Sequence, residues 1–237
     1  MSILSHSKKN GTYNEDSIYF SNFYHLFSKL VFTSNNGKTP KVITITSAVE
    51  GEGKTTIAHY LSFTAAVSLR GYYLLIDGDL RKPNLHKLLG VPREKGFSDI
   101  LLNKGNTSEF IRRTRLSNLN LITAGKYINN PLILLNNPET KQFINKMTEH
   151  YKMIFIDSPP VIPVSDSLRL AQLADGVVLV VKAGKTPREV VKRAIQLLKD
   201  AQCNIIGIVL NDVGEVLPYY YQHKYYKYDY QPSYSSK

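Results

Sequence analysis

The sequence lacks the cysteine pairs, the histidine spacing and the long apolar runs that build disulfides, zinc sites and membrane spans. It holds a single cysteine, Cys203, so no intramolecular disulfide can form, which fits a reducing cytoplasm. Its longest uninterrupted apolar run, Val177 to Val181, is far shorter than the roughly 20 residues of a membrane-spanning helix. Residues 1–11 show no hydrophobic signal-peptide core, and the six histidines lack the spacing of metal ligands. We therefore expect a cytoplasmic protein.

Acidic residues are scarce as well. The chain has 19 of them against 30 lysines and arginines, which gives a formal net charge of +11. The basic residues cluster at Arg81-Lys82, Lys87, 93–95 and 112–115. Such charge usually forms a solvated surface. It also suits the anionic inner face of a membrane, where a well-placed cation contributes about 1 kcal/mol, so we expect a peripheral location there.

Strands alternate with helices from Val42 to Leu210, which predicts an α/β fold with a mostly parallel, doubly wound sheet flanked by helices. Strands are predicted at 42–46, 72–76, 119–123, 153–156, 177–182 and 205–210, and helices at 54–70, 138–150, 165–173 and 187–201. We divide the chain into an N-terminal arm and amphipathic helix (1–40), a nucleotide-binding domain (41–212) and a flexible tail (213–237).

A phosphate loop follows the first predicted strand, where residues 48–55 read A-V-E-G-E-G-K-T. Gly51 and Gly53 can adopt positive φ, so the loop can aim its N–H groups at a phosphate beside a helix N-terminus. Lys54 would reach the β- and γ-phosphates of ATP, and the Thr55 hydroxyl would ligate Mg²⁺. The alternative is an ordinary glycine-rich turn. The predicted nucleotide-binding residues are Glu50, Gly51, Glu52, Gly53, Lys54, Thr55 and Thr56.

Two further motifs place carboxylates at strand ends. Asp157 ends the strand 153–156 and suits a Mg²⁺ ion. Asp77 and Asp79 end the strand 72–76; one can ligate Mg²⁺ and the other can accept a proton from an attacking hydroxyl. Arg81 and Lys82 could neutralise charge on a transferred phosphoryl group. The alternatives are a plain turn at 157 and a helix-capping acidic turn at 77–79. All three motifs should meet at the carboxyl edge of the sheet.

This set of motifs resembles the bacterial tyrosine kinases of capsule and exopolysaccharide systems, in their split form with a separate membrane adaptor. The matching stretches are E-G-E-G-K-T-T (50–56), I-D-G-D-L-R-K-P (76–83), G-F-S-D-I-L (96–101), N-P-L-I-L-L (130–135), I-D-S-P-P-V-I-P-V-S-D (156–166), A-D-G-V-V-L-V-V-K-A-G-K-T (174–186) and V-L-N-D-V (209–213). The resemblance implies that Lys54 binds phosphates, that Asp77 receives the tyrosine proton, and that Asp79 and Asp157 help to hold Mg²⁺. It also implies an activating adaptor and a role in polysaccharide synthesis.

The chain departs from related proteins at several positions. Septum-placement and partition ATPases share the fold, but their signature lysine falls at Val49 here, which argues against that branch. Related kinases often build a ring of subunits through a Glu-x-x-Arg-x-x-Arg face, which here is Ser21, Tyr24 and Phe27. Ile133 replaces an expected glutamate. We still expect self-association, either through apolar contacts or without the ring.

The tail is rich in tyrosine: eight of the sixteen tyrosines lie in its last nineteen residues. These predicted phosphoacceptors are Tyr219, Tyr220, Tyr221, Tyr225, Tyr226, Tyr228, Tyr230 and Tyr234. Their full phosphorylation would add roughly −12 to −16 charges, enough to reverse the charge of the chain and disperse an assembled state. The alternatives are a low-complexity extension without a role and a base-stacking arm for single-stranded nucleic acid, although we expect no nucleic-acid partner.

Three functional hypotheses follow. The first is a tyrosine kinase that transfers the γ-phosphoryl group of ATP·Mg²⁺ onto its own tail, with Lys54, Asp77, Asp79 and Arg81 as catalytic residues and Thr55, Asp79 and Asp157 as metal ligands. The second is a switch ATPase that dimerises on ATP and regulates assembly. The third is a scaffold that binds ATP without turnover.

Overall fold

The computed structural model describes residues 18–32, 39–102 and 106–213. The predictions for residues 1–17 and for the tail tyrosines from Tyr219 onward lie outside the described residues. None of the helices in the described ranges is long and apolar enough to cross a membrane.

Seven strands in the described residues form one sheet in the order β3-β4-β2-β5-β1-β6-β7. They are β1 (Val42–Ser47), β2 (Tyr73–Asp77), β3 (Arg112–Arg113), β4 (Leu119–Ile122), β5 (Met153–Asp157), β6 (Gly176–Lys182) and β7 (Ile205–Asn211). All neighbouring pairs are parallel except β3 and β4. The predicted mostly parallel sheet is therefore confirmed, with one short antiparallel strand at its edge.

All described helices except the first, which precedes β1, lie in the connections between the strands, as crossovers require. The helices are α1 (Ile18–Phe32), α2 (Lys54–Ser68), α3 (Leu85–Leu89), α4 (Phe97–Leu101), α5 (Pro131–Asn136), α6 (Pro138–His150), α7 (Asp166–Gln172) and α8 (Arg188–Asp200), with a 3₁₀ turn at Thr107–Phe110. The helices predicted at 54–70, 138–150, 165–173 and 187–201 all form. The sequence did not predict α3, α4 and α5, which have only five, five and six residues and carry no helical periodicity.

Helices cover both faces of the sheet. Alternate residues of β2 show this directly, since Leu75 belongs to one hydrophobic cluster and Leu74 and Ile76 belong to another. The first cluster includes residues of α1 and α2, and the second includes residues of α4 and α6. All five residues of β2 are buried. The strand ends are therefore fixed in the sheet, and short loops at those ends can hold reactive side chains precisely in place.

The predicted N-terminal amphipathic helix forms as α1 and packs on α2. Phe23 and Phe27 are buried, and the ring centroids of Phe23 and Tyr60 are 4.9 Å apart. Gly207 of β7 leaves room for Leu30, because a Cβ there would lie 2.7 Å from a Leu30 methyl carbon. Phe27, one of the three positions of the expected ring-forming face, is thus a core residue of this chain.

Candidate active site

The three sequence motifs meet at the carboxyl edge of the sheet. Asp77 and Asp157 are direct neighbours in the register of β2 and β5, and Asp157 pairs with Ile45 of β1. The phosphate loop leaves β1 at this same edge, directly after Ser47. The residues that the sequence analysis grouped together are therefore close in space, as parallel strands predict.

The phosphate loop has the backbone that its glycines predict. Gly51 and Gly53 have φ angles of 85° and 92°, which L side chains rarely adopt. Gly53 precedes the first residue of α2, Lys54, and its carbonyl accepts a hydrogen bond from Ile57 N at 3.0 Å. A Cβ on Gly53 would lie 2.2 Å from Asn211 Nδ2, so this position requires glycine for space as well as for conformation.

The position of Glu52 in the loop motif suggests a side chain that faces the nucleotide, but the Glu52 side chain points away from the cavity beside the loop. Its buried carboxylate accepts hydrogen bonds from Val49 N at 2.8 Å, Lys182 N at 3.1 Å and Thr186 Oγ1 at 2.5 Å. Its carbonyl accepts one from Asn211 Nδ2 at 3.0 Å. The side chain does not line the cavity beside the loop. Glu52 ties the phosphate loop to the ends of β6 and β7 instead.

A cavity of about 660 Å³ lies beside the loop. The predicted site residues that line it are Glu50, Gly51, Gly53, Lys54, Thr55, Thr56, Asp79 and Arg81. Asp77 and Asp157 lie below it and do not line it. Lys82, which sequence reasoning paired with Arg81, lines it as well. Sequence reasoning did not single out the remaining lining residues as a site: Asn84, Lys87, Leu88, Pro159, Pro160, Pro163 and Val164. The sequence could have indicated most of these residues, because they follow Asp79 or Asp157 within a few positions.

Lys54 joins the phosphate loop to the second acidic residue of the 77–79 motif. Its Nζ lies 3.3 Å from Asp79 Oδ2, and both side chains are almost entirely buried. The other oxygen, Asp79 Oδ1, accepts a hydrogen bond from Lys82 N at 2.9 Å. Asp79 is thus held at the cavity wall from two sides, with its charge directed at the lysine that would bind phosphates.

Asp77 and Asp157 form a buried carboxylate pair beneath the cavity. Burial raises the pKa of Asp157 to about 7, although the nearby Lys54 and Thr55 lower it in part. Burial, together with the charge of Asp157, raises the pKa of Asp77 well above its ordinary value. Asp77 Oδ2 accepts a hydrogen bond from Leu85 N at 3.1 Å. Asp77 Oδ1 and both oxygens of Asp157 have no hydrogen bond of good geometry among the described residues, although the Thr55 hydroxyl is close enough to Asp157 to lower its pKa.

These oxygens fit a bound cation. A buried carboxylate oxygen without a donor is costly, and a hard divalent ion would compensate it. Thr55 adds a hydroxyl beside Asp157, so Thr55, Asp79 and Asp157 have the oxygen chemistry that Mg²⁺ prefers. No group of three or more histidine, cysteine, aspartate or glutamate residues in the described ranges could hold a metal by itself. Mg²⁺ usually takes only one or two protein carboxylates and completes its shell with water and substrate phosphates, so these few oxygens suit an ion that also binds a nucleotide.

Two ion pairs arrange the turn that follows Asp79. Arg81 binds Asp166 through two bonds, with Nε at 2.6 Å from Oδ2 and Nη2 at 3.1 Å from Oδ1. Lys82 Nζ lies 2.7 Å from Glu50 Oε2, and both of these side chains are 67% exposed. The second pair connects the turn to the phosphate loop across the cavity mouth.

Comparisons with known proteins agree with this geometry. The family described as "ParA: NUBPL iron-transfer P-loop NTPase" matches residues 38–229. The putative tyrosine-protein kinase CapB of Staphylococcus aureus is 34% identical over 222 residues, which cover 92% of this chain and 93% of CapB.

Solved structures are similar as well. The chimerical protein CapA2B2 superposes with a TM-score of 0.79 at 29% identity, covering 84% of this chain and 87% of the other. The septum site-determining protein MinD of Pyrococcus horikoshii OT3, complexed with Mg-ADP, gives a TM-score of 0.63 at 25% identity, covering 74% of this chain and 71% of the other.

The parallel sheet, the loop after β1 and the acids at its carboxyl edge define a ParA-type P-loop NTPase. Within that class, the chain belongs to the family of bacterial tyrosine-protein kinases. Both the family resemblance and the fold class expected from the sequence are thereby confirmed.

Proposed function

We propose that this protein is an ATP-dependent protein-tyrosine kinase that phosphorylates the tyrosine cluster of its own C-terminal tail. The observation that carries the proposal is the convergence of Lys54, Asp79 and the buried pair Asp77–Asp157 at one cavity. An adenine nucleotide binder needs the loop and the lysine. A kinase needs in addition a carboxylate that can hold or accept the proton of a hydroxyl, and the raised pKa of Asp77 suits that task.

The residues have distinct roles in this proposal. The loop residues 50–56 and Lys54 bind the phosphates, through backbone N–H groups and the ammonium. Thr55, Asp79 and Asp157 would hold Mg²⁺, which when bound neutralises charge on the phosphate oxygens. Asp77 takes or orients the proton of the acceptor tyrosine, and Arg81 neutralises charge on the transferred phosphoryl group.

The geometry of β7 supports the tail as the substrate. β7 runs parallel to β6 and β1, so its last residue, Asn211, lies at the same edge of the sheet as the phosphate loop. Asn211 Nδ2 even contacts the loop carbonyl of Glu52 at 3.0 Å. The tail therefore starts beside the active site. A flexible coil of its length would span about 27 Å on average and ~80 Å at full extension. Tyr219 to Tyr234 could thus reach the cavity of a neighbouring copy.

A membrane adaptor and a role in capsule or exopolysaccharide synthesis belong to the same proposal. The chain has a net charge of +11, and no helix in its described ranges crosses a membrane. Recruitment to the inner membrane face by a separate adaptor, supported by basic surface residues, is consistent with both observations. Mixing the protein with vesicles that contain a candidate adaptor segment, and measuring tyrosine labelling with and without it, tests this part.

The main test is incubation with γ-labelled ATP and Mg²⁺, comparing the wild type with Asp77→Ala and Lys54→Met. We expect label on tail tyrosines in the wild type and in neither variant. Tail variants with all eight tyrosines changed to phenylalanine should hydrolyse ATP without becoming labelled. Labelling that persists in Asp77→Ala would contradict the role given to Asp77.

A switch ATPase is the second candidate, and the likeness to MinD is the observation that favours it. The same incubation separates the two. Free phosphate without labelled protein would support the switch, and tight ATP binding without turnover would support a scaffold. If the kinase proposal holds, the particle mass in solution should fall after ATP·Mg²⁺ is added, because phosphorylated tails repel one another.

A further inference from the structure

A buried carboxylate that the family motifs leave without a role lies next to the cavity. Asp166 is the first residue of α7, and its side chain is only 2% exposed. It binds the guanidinium of Arg81 with two hydrogen bonds, at 2.6 and 3.1 Å, across 85 positions of sequence. A bidentate, charge-assisted pair of this kind fixes the orientation of a guanidinium as well as its position.

Arg81 connects this buried carboxylate to the cavity. Its side chain is 39% exposed and lines the cavity beside Lys54 and Asp79. A guanidinium carries five N–H donors, and the bonds to Asp166 use two, which leaves three. No other hydrogen bond of Arg81 is found within the described residues. The remaining donors are therefore available to an anion in the cavity.

Helix α7, which begins at Asp166, is fixed to its neighbours by hydrogen bonds. The hydroxyl of Thr44 in β1 donates to the carbonyl of Leu170 at 3.1 Å, and Arg169 Nε donates to the carbonyl of Leu135 at 3.1 Å. These contacts fix α7 to the strand that leads into the phosphate loop and to α5. Asp166 thus has a set distance from the phosphates that the loop would bind.

Without Asp166, Arg81 has another attractive partner. The carboxylate of Asp79 is near enough to raise the pKa of Arg81, after the larger effect of Asp166 itself. Asp79 already pairs with Lys54 at 3.3 Å. A released Arg81 would move toward Asp79 and compete with Lys54 and with a bound cation for the same oxygens.

We propose that Asp166 is a positioning residue, which holds Arg81 over the phosphate cavity so that its free N–H groups meet the charge of the transferred phosphoryl group. The proposal rests on the proposed kinase function. It deepens that function by explaining how an exposed arginine keeps one geometry, since a preorganised donor stabilises a transition state better than a mobile one.

The test is a double-mutant cycle on the full-length chain, with Asp166→Asn, Arg81→Ala and both together. Tyrosine labelling and phosphate release are both followed under saturating ATP. Asp166→Asn should lower kcat roughly 10- to 100-fold while changing the KM for ATP less than about threefold. In the Arg81→Ala background the same change should have no further effect on kcat. Phosphate release reports on the effect of Asp166 even if no tyrosine becomes labelled. Absence of tyrosine labelling in the wild type would therefore contradict the kinase proposal without deciding the role of Asp166.

Two further variants separate positioning from folding. Arg81→Lys keeps the charge on a partly exposed side chain but cannot form the bidentate pair, so it should lower kcat about as much as Asp166→Asn. Asp175→Asn is the matched control. Its carboxylate accepts hydrogen bonds from Lys41 N at 2.8 Å and Val42 N at 2.9 Å, at the opposite end of β1 from the loop. It should leave kcat unchanged. A wild-type kcat in Asp166→Asn, or an equal loss in the presence and absence of Arg81, overturns the proposal.

Discussion

The two walls of the cavity are held in place by different interactions. The phosphate loop is fixed by buried hydrogen bonds in which neutral donors, two backbone N–H groups and the Thr186 hydroxyl, meet the Glu52 carboxylate. The facing turn at 79–84 is held by ion pairs, of which Arg81–Asp166 is partly exposed and Lys82–Glu50 is fully accessible. A charged ligand competes with an exposed ion pair far more than with buried hydrogen bonds or with a pair whose carboxylate is buried. The loop and Arg81 are therefore preformed, whereas the Lys82 side of the turn can rearrange when a nucleotide enters.

The largest expected effect comes from Gly53→Ala. The new Cβ would meet Asn211 Nδ2 at 2.2 Å, at a φ angle of 92°, and would displace this amide from its hydrogen bond to the loop carbonyl of Glu52. We expect nucleotide affinity to fall at least about 1,000-fold, or roughly 4 kcal/mol, in a calorimetric titration with ATP·Mg²⁺.

Gly51→Ala is the matched control for that change. Gly51 has a similar φ angle of 85°, but no atom lies within 4 Å of its added Cβ. The control isolates the backbone strain, which costs about 1–2 kcal/mol. Equal losses in the two variants would show that contact with Asn211 does not fix the loop wall.

The loop wall continues into α2, and His59 makes that helix sensitive to acid. Burial lowers the pKa of His59 from 6.5 to about 4, and its Nδ1 has no hydrogen-bond partner among the described residues. The pKa of His59 is lower in the folded protein than in the unfolded chain. The contribution of neutral His59 to the free energy of unfolding is therefore fully present above about pH 6.5 and is lost as pH falls toward 4. The loss should approach about 3 kcal/mol.

Urea unfolding of the wild type and of His59→Leu between pH 4 and 8 checks this. Asp157 and Asp77 have raised pKa values, so their contributions run in the opposite direction, and stability falls as pH rises through them. The difference between the two proteins isolates His59. A difference that is flat across this range would show that the helix opens to water at position 59.

Glu52→Gln tests the buried hydrogen-bond network of the loop itself. The carboxylate accepts three hydrogen bonds, and a glutamine would turn an NH₂ group toward at least one of the same donors. Leaving a buried donor unpaired costs about 1–3 kcal/mol, so we expect a loss of about 2 kcal/mol in unfolding free energy.

Thr186→Val removes one of the three donors and leaves the carboxylate in place. It should cost about 1 kcal/mol, less than Glu52→Gln. If both variants unfold like the wild type while nucleotide affinity drops, Glu52 acts on the ligand and the loop is not preformed by this network.

The sequence predicted the parts of the site that depend on local pattern. Asp77 and Asp157 end apolar strands, and parallel strands bring such ends together, so their proximity followed from order along the chain. The partners of Glu52 and Arg81 did not follow, because Thr186 and Asp166 are 134 and 85 residues away. Contacts of that kind depend on which helix packs beside which strand, and no local periodicity encodes this. Residues 214–237 of the tail lie outside the described residues, and the predictions for the tail tyrosines stand as they were made.

The smallest effect is expected at the link between the two walls. Lys82 and Glu50 form an accessible pair at 2.7 Å, in which each side chain is 67% exposed. Water and salt screen such a pair, and its side chains lose entropy when they hold one geometry. Lys82→Gln, Glu50→Gln and the double variant should therefore unfold at the wild-type temperature.

Nucleotide binding gives a second test of the same pair. If the turn rearranges around a nucleotide, the single variants should bind ATP slightly more weakly or more tightly at low salt, and this difference should vanish in 1 M salt. A change in melting temperature that survives high salt would instead mean that the two walls form one cooperative unit, and the contrast between a fixed loop and an adjustable turn would have to be abandoned.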